Sequence, residues 1–195
     1  ITSSKQHMHL YSSRPGARIL GGHTYESTTD VTDKNRATKL FYQNGGDLSI
    51  GYDINGNIAG ERIDLVAGQM MYIYKGNFKA NNVAWYIVSG DNNCGFLLRY
   101  SQNNKSFHVS NSDFYIKQYS AVFFYRDYTT EKSETVLENC NLYSTAASKY
   151  LFAPFNGVAI PKQTAHLINT NVYNMKVHYD KSTHVYVEGE CHLPS

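Results

Sequence analysis

The sequence predicts a mainly β protein: an antiparallel β-sandwich or jelly-roll-like head with one or two short helices. Three observations carry that expectation. Straight-chain helix formers are sparse, whereas β-branched and aromatic residues are common, Phe, Trp and Tyr alone making up 14%. Such side chains favour a pleated, half-buried surface. Asn, Ser, Thr and Gly fill about a third of the chain and supply tight turns. Finally, apolar residues recur at every second position over short runs, the period of a strand with one buried face.

The first clear element in chain order is a hairpin. Leu48, Ile50, Tyr52 and Ile54 alternate across 47–54, and Asn55-Gly56 follows, a pair preferred where both turn residues need positive φ. The return strand is expected over 57–66. A meander comes next: strand 69–75, polar turn 76–82, strand 83–89, turn 90–93, strand 94–101, turn 102–105 and strand 106–110. The apolar run 120–125 fits a strand covered on both faces. Residues 130–139 read as a short helix, with Thr135 and Glu138 at capping-box spacing and no Gly or Pro. A second helical turn is expected near 145–150. Strands return at 172–179, which sets Tyr173, Met175, Val177 and Tyr179 on one face, and at 183–188, with a turn over 180–182 between them. No heptad and no repeat at a fixed period is visible. Residues 1–37, poor in alternation, read as an N-terminal arm or stalk remnant, and 38–195 as the head.

Charge narrows the function classes. Lys and Arg number 18 against 16 Asp and Glu, a net +2 with no basic block, which argues against an electrostatic nucleic-acid partner. No apolar stretch is long enough to span a bilayer as a helix. With 42% hydrophobic residues the chain buries a core, so intrinsic disorder is excluded. Residues 1–9 are polar and do not read as a signal peptide, so either a leader is already removed or the chain begins inside a longer protein. Cys94, Cys140 and Cys191 show no CxxC and no zinc spacing. Three reduced thiols in a reducing compartment are expected, with a Cys140–Cys191 bridge left open.

Motifs that carry chemistry are few. Neither a G-x-S-x-G nucleophile elbow nor a positioned carboxylate pair is recognisable, so a non-enzymatic role without a cofactor is expected. Asp53-Ile54-Asn55-Gly56-Asn57 has its Gly at the fourth position and lacks the distal Glu, so it reads as a turn and not a calcium loop. His7-Met8-His9 is the sharpest local signal. On an extended chain both imidazoles face one side, and a three-fold axis would gather a transition-metal site from three copies. His178, His184 and His192 form a second close group, while His108 and His166 stand alone. Trp85, the single tryptophan, is a strand-core residue or a stacking platform for a sugar ring. Because alternate turns of an antiparallel meander share one end, 76–82 and 102–105 gather Asn77, Lys79, Asn81, Asn82, Asn103, Asn104 and Lys105. Amides offer sugar hydroxyls both donors and acceptors, and lysines suit an acidic glycan.

This texture, low in charge and rich in Asn, Ser, Gly and Tyr, resembles the receptor-binding tips of phage tail fibres and tailspikes, and viral fibre heads generally. His7-Met8-His9 is similar to the His-x-His motifs with which the long tail-fibre tips of T-even phages bind metal on a trimer axis. The resemblance implies a homotrimer on the virion surface, assembled in the host cytoplasm. The implied partner is a host cell-surface glycan or outer-membrane protein. The rival classes are a polysaccharide-degrading tailspike-type hydrolase or lyase and a secreted lectin or adhesin.

Overall fold

Among the described residues, consecutive strands do not pair with one another. Each named strand pairs with one that lies a full circuit away, and every one of those pairings is parallel. The computed structural model describes residues 2–3, 10–12, 17–19, 26–27, 39–65, 69–88, 96–98, 106–117, 121–125, 133–145, 150–154, 163–178 and 183–194. Within these the chain winds as a solenoid of three parallel faces and contains no helix.

One face, the histidine face, stacks Ser106–Ser110, Ser133–Glu138, Gln163–Ile168 and Thr183–Glu188 below the second half of Gln69–Asn81. The next, the tyrosine face, stacks Glu61–Leu65, Val83–Val88, Asp113–Lys117, Asn141–Ser144 and Asn171–Tyr173. The third stacks Phe96–Leu98, Ala121–Tyr125, Tyr150–Pro154 and Lys176–His178 on the first half of Gln69–Asn81. Gln69–Asn81 and its neighbour Lys39–Ile50 each serve two faces, and Lys39–Ile50 breaks register between Gln43 and Asp47, where it turns the corner. Two strands from the segment expected to form an arm, Leu10–Ser12 and Ala17–Ile19, pair in parallel with Lys39–Ile50.

The corner between the histidine and tyrosine faces shows why the chain can coil this way. Asn82, Asn111, Asn139 and Asn169 sit there with φ of 56, 48, 51 and 46°. Asn is the residue other than Gly that most readily takes this left-handed conformation. Each corner amide donates to a carbonyl of the following coil: Asn111 to Glu138, Asn139 to Ile168 and Asn169 to Glu188, at 2.9–3.0 Å. Side chains extend the ladder, Asn111 Nδ2 donating to Asn81 Oδ1 30 residues earlier and Asn139 Nδ2 to Asn111 Oδ1 28 residues earlier. Gly51 takes the same corner in an earlier coil; a Cβ there would lie 2.0 Å from the Asn81 carbonyl oxygen, so no other residue fits.

After Asn111, Asn139 and Asn169 comes a small buried group, Ser112, Cys140 or Thr170, that ties coils together. Ser112 Oγ accepts from Val83 N and donates to Ser110 O, and Thr170 Oγ1 accepts from Cys140 N at 3.2 Å. Burial, opposed only partly by backbone hydrogen bonds, pushes the Cys140 thiol up to about 12. Inward side chains fill the solenoid with stacked rings. Phe78 lies on Phe107 at 4.8 Å, Trp85 on Phe114 at 5.8 Å and Phe123 on Phe152 at 5.6 Å, all fully or almost fully buried.

Several expectations are corrected here. The sheets are parallel, not those of an antiparallel sandwich or jelly-roll, because alternation and turn residues are common to both and do not say which strand is the partner. The expected helix over 130–139 contains the strand Ser133–Glu138, in which Thr135 and Leu137 point into the core and Glu134 points out. Two neighbouring strands override the weak local capping signal. Thr145 is a bend, and Tyr150 opens a strand. The supposed turn 76–82 belongs largely to Gln69–Asn81. Near Asn55-Gly56 the hairpin shrinks to one antiparallel bridge, Tyr52–Ile58, before Glu61–Leu65 joins the tyrosine face. Lys176–His178 and Thr183–Glu188 lie on different faces, so His178 and His184 do not flank a hairpin. The chain does repeat, in coils of unequal length.

Candidate functional site

The outward side chains of the histidine face form three columns that cross five coils. Reading down the solenoid, the rows are Asn77, Lys79, Asn81; Ser106, His108, Ser110; Glu134, Val136, Glu138; Thr164, His166, Ile168; and His184, Tyr186, Glu188. The strand period sends these outward while Phe78, Val109, Leu137 and Leu167 point inward. Parallel in-register stacking then sets each row about 4.8 Å from the next.

At the upper end a groove of about 410 Å³ is lined by Asp47, Ser49, Asn77, Lys79, Ser106 and His108, among others. Asn77 is held in place: its Nδ2 donates to Asp47 Oδ1 at 3.0 Å and its Oδ1 accepts from Ser106 N at 3.2 Å. The Lys79 ammonium lies 4.7 Å from the centre of the Tyr52 ring. Tyr52 reaches it from the loop that ends at the antiparallel bridge. In that loop Asp53 accepts from Asn55 N, Asn57 N and Asn57 Nδ2, and the Asn57 side chain leads in holding its carboxyl below the usual value. Asp53 thus closes a turn.

Below the groove, acids and imidazoles alternate across the coils. His108 Nε2 lies 3.2 Å from both Ser110 Oγ and Glu138 Oε2. His166 sits between carboxylates of the coils on either side, its Nε2 3.3 Å from Glu134 Oε1 and its Nδ1 3.1 Å from Glu188 Oε1. The Tyr186 ring stacks on the same imidazole at 5.0 Å. The glutamates are about half exposed, so these contacts leave oxygens free to meet a ligand.

The residues singled out from sequence separate. Asn77, Lys79 and Asn81 share one row of the histidine face, next to Asp47 and Ser49 of the preceding coil. Asn82 occupies the adjoining corner, beside a second groove of about 360 Å³ that Gly60, Glu61, Arg62 and Asp113 help to line. Trp85 is 0% exposed and stacked in the core, out of reach of any sugar. Asn103, Asn104 and Lys105 lie outside the described residues, as do His7, His9 and Cys94. Among the described residues no cluster of His, Cys, Asp and Glu could hold a metal. Cys140 and Cys191 are free thiols. Thr170 stands between them in the corner column, with its N donating to Cys191 Sγ, so they are two coils apart and beyond disulfide reach. Sequence spacing did not bring His108, Glu134, Glu138, His166 and Glu188 together, because 30 residues separate His108 from Glu138 and 22 separate His166 from Glu188. No family model matches this chain, and neither a curated protein nor a solved structure matches it.

Proposed function

We propose that this chain is the glycan-binding part of a host-attachment fibre, and that it holds an extended surface polysaccharide along the histidine face without cleaving it. The observation that carries this reading is the groove of about 410 Å³ at Asn77, Lys79 and His108, with partly exposed imidazoles and carboxylates on the coils below it. Its volume is within the range of ordinary ligand sites. Its amide, hydroxyl, ammonium and imidazole groups offer the mixture of donors and acceptors that sugar hydroxyls require. Rigid strands hold these groups in rows, so a polymer laid along the axis meets a related set at each coil.

The test is binding of purified capsular and lipopolysaccharide glycans, measured beside release of new reducing ends. Binding without release is expected, and Asn77→Ala/Lys79→Ala/His108→Ala should weaken it at least tenfold while the melting temperature stays within a few degrees. Unchanged binding by that variant overturns the site. Reducing ends that vanish in Glu134→Gln/Glu188→Gln would instead make the paired carboxylates around His166 a hydrolytic centre.

A further inference from the structure

The tyrosine face carries an order of its own. Tyr86, Tyr115, Tyr143 and Tyr173 occupy one column in register across four coils. Their rings stack at 4.7, 5.3 and 4.9 Å with interplanar angles of 14, 11 and 5°. The Arg62 guanidinium closes one end, 4.2 Å over Tyr86, and His192 closes the other, 5.0 Å from Tyr173. Ring faces are therefore consumed by neighbouring rings, which leaves no face free for a sugar to stack on. What the column presents outward is ring edges and phenol hydroxyls, Tyr115 and Tyr143 each being 37% exposed.

Those hydroxyls have no hydrogen-bond partner within the described residues. Beside them runs a second ladder, in which Asn171 Nδ2 donates to Asn141 Oδ1 at 3.0 Å and Asn141 Nδ2 to Asp113 Oδ1 at 2.9 Å. An amide nitrogen has two hydrogens, so each rung keeps one N–H for a ligand. Every coil thus offers one phenol at the rung spacing of about 5 Å, and the coils of Tyr143 and Tyr173 add an amide donor beside it, Asn141 and Asn171. The Tyr115 phenol, whose titration desolvation and then the Asp113 charge push upward, donates as well as accepts, as any protonated phenol does.

From this repeat we infer that the tyrosine face is a second binding track, which takes an extended, uncharged β-linked glycan lying parallel to the solenoid axis. A pyranose unit in such a chain advances by nearly one rung and is turned over relative to the unit before it, so alternate sugars present the same edge to every second phenol of the column. A helically curved glycan leaves the track after a unit or two. The track is separate from the histidine face and stands whether or not that face binds.

Cellohexaose and maltohexaose are the probes, each titrated calorimetrically into the whole chain. Cellohexaose should bind at least tenfold tighter than maltohexaose. Tyr115→Phe/Tyr143→Phe keeps the ring stack and removes only hydroxyls, and it should weaken cellohexaose by about tenfold with little change in melting temperature. Lys79→Ala/His108→Ala, on the other face, should leave cellohexaose binding unchanged and thereby separate this inference from the function proposed above. No heat with cellohexaose at millimolar concentration, equal binding of the two hexasaccharides, or full binding by the double Phe variant each overturns it.

Discussion

Thr170 offers the sharpest test of how the coils are held together. Its side chain is 0% exposed, and Oγ1 lies 2.9 Å from both Leu137 O and Ile168 O while accepting from Cys140 N at 3.2 Å. Thr170→Val keeps the shape and deletes these bonds. It creates no cavity but leaves a buried N–H of Cys140 without its acceptor. An orphaned buried donor costs about 1–3 kcal/mol. For a chain of this length each kcal/mol moves the midpoint by roughly 2–4 °C, so the variant should melt about 2–12 °C lower. Thr170→Ser separates bonding from packing, because it keeps the hydroxyl and loses one methyl, a change of about 1 kcal/mol. The assay is thermal unfolding followed by circular dichroism and by Trp85 fluorescence, whose transitions should coincide if the coils unfold together. If Thr170→Val is as stable as the parent, or if Thr170→Ser is the more damaging of the two, the hydroxyl does not link the coils and the reasoning fails.

Two further outcomes follow from the same corner. At Asn139, with φ of 51°, replacement by Ala should cost about 1–2 kcal/mol and replacement by Gly much less, since both lose the amide but only Ala is strained there; equal melting temperatures for the two would refute the conformational argument. Cys140 makes stability fall in alkali. Its thiol stays protonated in the folded chain to about 12, against an ordinary value of 9.0, so above roughly pH 9 the unfolded chain binds fewer protons. Stability then drops by up to about 1.4 kcal/mol per pH unit until about pH 12 and is unaffected below pH 9. Denaturation midpoints between pH 8 and 11 should fall more steeply for the parent than for Cys140→Ser, and parallel slopes would contradict burial as the cause.

Much of the local structure was legible in the sequence. The β-rich character, the alternation at Leu48 and Ile50, and the strands near Val83, Ser106 and Thr183 all follow from period-two burial. The repeat was legible too, though it takes a turn pattern and not a hydrophobic one to see it. Asn111-Ser112-Asp113, Asn139-Cys140-Asn141 and Asn169-Thr170-Asn171 each place a left-handed Asn before a small buried group and an outward polar one. Loops of uneven length between these triplets hide the period from a search at fixed spacing.

Pairing could not be read in the same way. A strand such as Ser133–Glu138 exposes identical hydrogen-bonding groups whether its neighbour runs parallel or antiparallel. Its capping-box residues Thr135 and Glu138 suit a helix until Val109 and Leu167 close around it on either side. The same holds for function. The composition says that the surface is polar, nearly neutral and rich in phenols. Only the stacking of coils brings His166 between Glu134 and Glu188 and sets four tyrosines in one column, because groups a whole coil apart in the chain meet through backbone register and not through any local preference of their own.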